Sequence, residues 1–291
     1  MATHYDNAYK YIFSNKRIFY QLLTSFVEED FVKEIDIDHI DILDKSFVSD
    51  EFLSRESDVI YRIQFRDSEI YIYILLEFQS TVDKSIPVRM LLYIMGFYDL
   101  LLRNSQKGKL PSVFPMLLYN GNEDWTIPGN ISDLIDNRIP AKYIPSLEYY
   151  RIVEKDIPDE VLFQLHNLIS AIMYLEKRRD DAGLKEVIDK VVEMIKKENI
   201  IDIRMFAIWF KRMFRQNATA EEIEKINDIQ EVKHMLTDIA DQIMQKGIEQ
   251  GIEQEKGKEK IQIAQIMKNK GFDIQTISEI TGLPKDEIEK L

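Results

Sequence analysis

Two neighbouring runs constrain the fold more than anything else in the chain. Asp58-Val59-Ile60-Tyr61-Arg62-Ile63-Gln64-Phe65 and the run from Ile70 to Gln79 are rich in β-branched and aromatic residues, with only Arg66-Asp67-Ser68-Glu69 between them. Such a pair reads as an antiparallel hairpin. A turn centred between Asp67 and Ser68 would set Val59 opposite Leu76, Tyr61 opposite Ile74, Ile63 opposite Ile72 and Phe65 opposite Ile70, an apolar face that belongs to the core. The other face would pair Gln64 with Tyr71, Arg62 with Tyr73 and Ile60 with Leu75. It would end with Asp58 directly against Glu77, and with Glu56 against Gln79 on the same side.

Directly opposed residues carry Cβ atoms roughly 4.5–5.5 Å apart, and like charges there destabilise a sheet. Two readings account for the acids. They sit at a frayed, wet sheet end, or they hold a hard divalent cation such as Mg²⁺, which takes oxygen ligands and is commonly bound by one or two carboxylates. The apolar run Tyr71 to Leu76 ends abruptly in Glu77-Phe78-Gln79. The acid therefore emerges from a strand too hydrophobic for a surface edge, which favours the cation. Register decides the matter, because Asp-Ser is a poorer two-residue turn than Asn-Gly and a slip by one residue would put the acids on opposite faces.

With 291 residues, 45% of them hydrophobic, the chain can build a large core. It has no cysteine, and His4, His39, His166 and His234 show no ligand spacing, so disulfides and zinc are not expected. Charge interrupts every apolar run short of the ~20 residues a membrane span needs, and the N-terminus lacks a basic stretch followed by an apolar one. A cytoplasmic protein with no membrane partner is expected. The formal charge of −13 argues against a protein that coats DNA by neutralising phosphates. It leaves room for a nucleic-acid enzyme whose acids surround a metal. Arg204, Lys211, Arg212 and Arg215, interleaved with Phe206, Trp209, Phe210 and Phe214, form the best basic cluster, and they equally describe an amphipathic helix with a basic outer face.

Asp6 to Val27 reads as helix with a break near Ser14-Asn15, and Ile35, Ile37, Ile40 and Ile42 as an alternating strand with one bulge. Pro87 to Leu102 follows as an apolar helix, and Ser112 to Tyr119 as a short buried strand closed by Asn120-Gly121. The expected fold class is α/β, a mixed central sheet flanked by helices, with an all-α C-terminal region. From about Asp156 only helix is expected, with Val161, Leu162, Leu165, Leu168, Ile169 and Ile172 as a buried stripe. The Gly-punctuated segment Gln245 to Gly257 reads as a polar helix that is exposed or paired with a second chain, a route to a homo-oligomer. A short helix, a Gly282 stop and a second helix opened by Pro284 end the chain, either as a helical pair or as the start of a helix-turn-helix. The expected division is 1–150, 151–240 and 241–291.

Several pieces, taken in order, resemble the PD-(D/E)XK nuclease superfamily and, more narrowly, the Rpn family of recombination-promoting nucleases. They are Asp6-Asn-Ala-Tyr-Lys10-Tyr-Ile-Phe13, Arg55-Glu-Ser-Asp58-Val-Ile-Tyr61, Tyr73-Ile-Leu-Leu-Glu77-Phe-Gln79-Ser80, Pro87-Val-Arg89-Met-Leu-Leu-Tyr93 and Pro115-Met-Leu-Leu-Tyr119-Asn-Gly121 followed by Trp125. The resemblance implies a restriction-endonuclease-like core over residues 1–150 and Mg²⁺- or Mn²⁺-dependent DNA cleavage. Asp58, Glu77 and the Phe78 carbonyl would be the metal ligands. Gln79 stands where the superfamily pattern has Lys: its amide can orient water, but it brings no charge to the transition state. Glu56 is a candidate for a second metal or a water, and Lys10 and Arg89 are candidates for the cation that Gln79 does not supply. The rival expectation is a nuclease-like protein that no longer cuts and acts by binding DNA or protein partners.

Overall fold

The computed structural model describes residues 8–43, 59–66, 68–77, 82–104, 108–136, 138–178, 184–214 and 220–291. Within them lies a five-stranded sheet of order β1-β2-β3-β4-β5, formed by β1 (Ile40–Ile42), β2 (Val59–Phe65), β3 (Ser68–Glu77), β4 (Ser112–Tyr119) and β5 (Tyr150–Val153). The first three strands are antiparallel neighbours, while β3, β4 and β5 run parallel. Parallel neighbours need a crossover, and helix α2 (Ile86–Arg103) supplies the one between β3 and β4. The mixed sheet with flanking helices is the architecture expected from the sequence.

The hairpin register differs from the expected one. Val59 pairs with Ile74, Tyr61 with Ile72, Ile63 with Ile70 and Phe65 with Ser68, a shift of two residues. The turn therefore closes one residue earlier, between Phe65 and Ser68. Arg66 takes the left-handed conformation (φ 54°) and its guanidinium makes two hydrogen bonds to the Glu34 carboxylate, at 2.9 and 2.6 Å. That ionic anchor lies 32 residues upstream, beyond the reach of local turn chemistry. Because side chains alternate with period two, the shift leaves every residue on its expected face.

Both faces are covered. Tyr61, Ile63, Ile72 and Ile74 are fully buried beneath α1 (Lys16–Phe26), where the Phe19 ring stacks on Tyr61 at 3.5 Å between centroids and Tyr61 donates its hydroxyl hydrogen to the Phe13 carbonyl. On the opposite face Ile60, Tyr71, Leu117 and Tyr119 pack with Ile86, Met90 and Phe97 of α2. A sheet covered on both sides explains why β4 is apolar almost throughout.

Residues 8–12 are helical and α1 follows after the expected break, with the Asn15 side chain capping it by accepting from the Arg17 backbone. The segment from Ile35 to Ile42 is mostly not strand. A 3-10 turn at Asp30–Glu34 precedes it, a second forms at Ile37–His39, and only Ile40–Ile42 joins the sheet. Asp36 accepts from the Asp38 backbone at 3.0 Å, a side-chain bond that competes with strand pairing. Strand β5 is an addition to the sequence expectation. Tyr150-Arg-Ile-Val is too short to carry a periodicity of its own, and it becomes a strand by pairing with Met116 to Tyr119.

Beyond β5 come α3 (Asp159–Leu165), α4 (Leu168–Glu176), α5 (Leu184–Ile195), α6 (Ile200–Met213) and α7 (Ala220–Glu224). The expected stripe is divided between two helices, because His166 at φ 47° stops α3 and Asn167 opens α4 with a capping box. Leu162, Leu168, Ile169 and Ile172 are buried as expected, whereas Val161 is exposed. Asp202, buried in the first turn of α6, accepts from Asn15 at 2.8 Å, Arg17 at 2.9 Å and Asn199 at 2.6 Å, which ties this helix to the start of α1.

The chain divides into two compact units, Met1–Leu236 and Thr237–Leu291, with the boundary inside helix α8 (Ile229–Asn269). The second unit contains the remainder of α8, α9 (Ile274–Thr281) and α10 (Lys285–Lys290). Asp273 caps α9, Gly282 ends it at φ 70°, and Pro284 opens α10, as the sequence indicates. Ala264, Ile277 and Ile288 form its small core.

Candidate active site

The parallel strands end together. Glu77, the last residue of β3, pairs with Tyr119 at the end of β4, and Tyr119 pairs with Val153 at the end of β5. In open α/β sheets the carboxyl ends of parallel strands are where ligands bind, since the chain leaves the sheet there and exposes polar groups. Asp58, Phe78, Gln79 and Glu56 lie outside the described residues, and Glu77 is placed by its backbone. The expected direct opposition of Asp58 and Glu77 belonged to the register that the hairpin does not adopt.

Polar side chains to which the sequence reading gave no role converge around this end. Glu154, next after β5, is 2% exposed, and its Oε1 accepts from the Tyr9 hydroxyl at 3.3 Å. Glu176, the last residue of α4, is also buried, and its Oε2 accepts from Asn120 Nδ2 at 2.5 Å. Asn120 follows β4 directly, so strands, helix and N-terminal segment meet here. The Tyr9 hydroxyl is held well above its ordinary value by burial first, then by the negative charge of Glu154 and Glu176 and by a hydrogen bond to Glu176. Tyr9 therefore stays neutral as the donor between two acids. Tyr9 and Asn120 lie within the segments that carry the family resemblance, whereas nothing in the sequence singled out Glu154 and Glu176, which come from different elements.

Two further candidates lie on the flanking helices. Lys10 is in the helical residues 8–12, immediately after Tyr9, and is partly buried. Arg89 is in the first turn of α2, and its Nη1 pairs with Asp83 at 3.1 Å. Burial alone would raise the Asp83 carboxyl; hydrogen bonds from Ser85 and the charge and hydrogen bond of Arg89 outweigh it and hold the group below the usual carboxylate range. Tyr119 is fully buried and packs on Trp125 at 4.9 Å between ring centroids, an apolar wall beside the polar cluster.

The donor chemistry at this end of the sheet is oxygen throughout, which suits a hard cation and not a thiolate-binding one. Among the described residues no three His, Cys, Asp or Glu side chains gather as a metal-binding group.

Arg204, Lys211 and Arg212 of the basic cluster are engaged within the chain, and Arg215 lies outside the described residues. Arg204 donates to the carbonyls of Ile226 and Glu224 at 2.8 and 3.0 Å, Lys211 pairs with Glu222 at 2.7 Å, and Arg212 lies over the Tyr11 ring at 4.1 Å. These contacts make structural caps and pairs of the cations. In the C-terminal pair, the first turn of α10 carries Lys285, Asp286 and Glu287. No described helix is long and apolar enough to cross a membrane.

A family model described as "Putative transposase, YhgA-like" matches residues 3–204. The chain is 24% identical over 250 residues to the inactive recombination-promoting nuclease-like protein RpnE of Escherichia coli (strain K12), covering 84% of this chain and 82% of that one. It is 24% identical over 175 residues to the recombination-promoting nuclease RpnD of Escherichia coli O157:H7, covering 60% and 66%. With the recombination-promoting nuclease RpnA of strain K12 it shares 25% identity over 253 residues, 84% of this chain and 81% of the other. No solved structure matches.

Proposed function

Because the chain belongs to the family described as "Putative transposase, YhgA-like", we propose that it is a metal-dependent DNA endonuclease acting in recombination or on mobile elements. The observation that carries this reading is Glu77 at the carboxyl end of β3, in line with the ends of β4 and β5. Two relatives named as recombination-promoting nucleases support it. In this reading Asp58, Glu77 and the Phe78 carbonyl hold Mg²⁺ or Mn²⁺, and the oxygen-only donors of this region fit such an ion. When bound, the metal polarises the scissile phosphate and makes a bound water more acidic.

The chain's own groups do the rest. The Gln79 amide orients the attacking water by accepting its hydrogen, and Lys10 supplies a positive charge toward the phosphate. Tyr9, Asn120, Glu154 and Glu176 fix the strand ends through buried hydrogen bonds, and the Tyr119–Trp125 pair keeps water from one side.

A second reading has its own support. Gln79 stands in place of a lysine, and one relative is named as an inactive nuclease-like protein. On that reading the fold binds DNA or a protein partner without cutting. Nicking of supercoiled plasmid with Mg²⁺ or Mn²⁺ separates the two when the native chain is compared with Asp58→Ala and Glu77→Ala. Cutting that both substitutions abolish supports the enzyme. Cutting unaffected by either ends the site assignment, and absence of both cutting and calorimetric metal binding favours the second reading.

A further inference from the structure

The connection from Tyr119 of β4 to Tyr150 of β5 contains only short 3-10 turns, at Ile131–Leu134 and Ala141–Tyr143, and one isolated bridge. It is well beyond the roughly 12–15 residues at which ordered loops without secondary structure become uncommon and are usually functional. Its middle is tied into a closed loop. Asn130 bridges Glu148, the Ile131 N–H donates to the Leu147 carbonyl at 3.1 Å, the Tyr149 N–H donates to the Gly129 carbonyl at 3.2 Å, and Asn130 Nδ2 donates to Ser146 Oγ at 3.0 Å. Ile131 and Tyr149 are buried at this neck, and Tyr149 belongs to the same buried cluster as Tyr119.

The tip of the loop holds apolar side chains out in water. Arg138-Ile139-Pro140-Ala141-Lys142-Tyr143 is exposed residue by residue, with Ile139 at 54% and Tyr143 at 66% exposure. The Tyr143 N–H donates to the Pro140 carbonyl and the Ile144 N–H to the Ala141 carbonyl, both at 3.0 Å, and Pro140 fixes its own φ, so the tip is stiff. Residues 137–147 include Arg138 and Lys142 and no acid, in a chain with 51 acidic and 38 basic residues. The acids of the loop, Asp133 and Asp136, precede the tip. Asp136 meets Arg138 Nε at 2.6 Å, but both side chains are largely exposed, so the pair contributes little and a phosphate can replace it. Lys142 lies over the Tyr143 ring at 4.9 Å.

We propose that this tip is a minor-groove contact for duplex DNA, with Ile139 and Pro140 in the groove and Arg138 and Lys142 on the phosphates of its two walls. The proposal rests on the nuclease reading above and adds to it a surface that holds the duplex. The minor groove, about 6 Å wide, admits a narrow loop but not a helix, and proteins that bind it combine Arg or Lys with apolar wedges such as Ile and Pro that unstack a base step. Position agrees with this. β5 lies two strand spacings from β3, about 10 Å, whereas one turn of duplex runs about 34 Å. One duplex therefore reaches from the carboxyl end of β3 to a loop rooted beside β5.

Fluorescence anisotropy of a labelled duplex of about 30 base pairs, measured on the full chain with Ca²⁺, tests the contact. Ile139→Ala combined with Tyr143→Ala should weaken binding about tenfold. Arg138→Ala combined with Lys142→Ala should weaken it and reduce the slope of log affinity against log salt by about 2. 2-Aminopurine in the duplex should brighten with the native chain and not with the Ile139→Ala and Tyr143→Ala variant, while both variants keep the native melting temperature because the side chains are exposed. Plasmid nicking with Mg²⁺ is followed on the same proteins. Weakened binding in the variants without nicking by the native chain supports the contact and removes the enzyme. Nicking by the native chain, with native binding and brightening in both variants, overturns the contact and leaves the nuclease reading standing. A native chain that neither binds nor nicks DNA overturns both, and one that binds anionic phospholipid vesicles in its place makes the tip a membrane contact and overturns the proposal.

Discussion

The phenol of Tyr9 donates to the buried carboxylate of Glu154 at 3.3 Å across 145 residues of chain, and Glu176 lies against the same hydroxyl. This contact joins the N-terminal helical segment to the carboxyl end of β5. Tyr9→Phe removes the donor and leaves two buried acids around an apolar ring. Leaving such groups without their partner costs about 1–3 kcal/mol, so urea denaturation should show a loss in that range with an unchanged m-value. A variant as stable as the native chain would show that the contact contributes nothing to the fold.

Arg66 makes the hairpin turn in a left-handed conformation that glycine adopts without strain. Arg66→Gly should keep or raise the denaturation midpoint, since the pair with Glu34 is at the surface and contributes little. Arg66→Val, β-branched and ill-suited to positive φ, should lower it. Equal midpoints for the two variants would remove the turn conformation as the determinant of register.

Asp83 is held below the ordinary carboxylate range by hydrogen bonds from Ser85 and by Arg89. A depressed folded value means that the unfolded chain binds the proton first. The stabilisation is therefore full above the unfolded value of about 3.9 and is lost as pH falls through the lower folded value. The difference in melting temperature between the native chain and Asp83→Asn should be largest near neutrality and should shrink below about pH 4. A constant difference across that window would contradict the assignment.

Gln79→Lys places a charge where the proposed water-orienting amide stands. Plasmid cutting should be retained or increased, because a lysine can both position water and offset the developing negative charge. Complete loss in a variant with native circular dichroism would count against the role given to Gln79.

Much of the scaffold was legible in order of sequence. The alternation in 59–65 and 70–77 assigned each hairpin residue to its face, and the apolar runs of α2 and β4 named their elements nearly to the residue. Glu77 at a strand end was equally visible, because an acid that terminates an apolar run is a local signal. The register was not, since the turn runs through Arg66 in a left-handed conformation that nothing in its local sequence announces.

Periodicity and composition by themselves determined which elements exist and which faces they bury, because helix and strand repeats are set by neighbours a few residues away. Tertiary structure alone decided the two-residue register shift, the recruitment of Tyr150–Val153 as a fifth strand, and the meeting of Tyr9, Asn120, Glu154 and Glu176. Each of these depends on groups brought together from far apart in the chain, where pairing, burial and charge act through space and leave no repeat in the sequence.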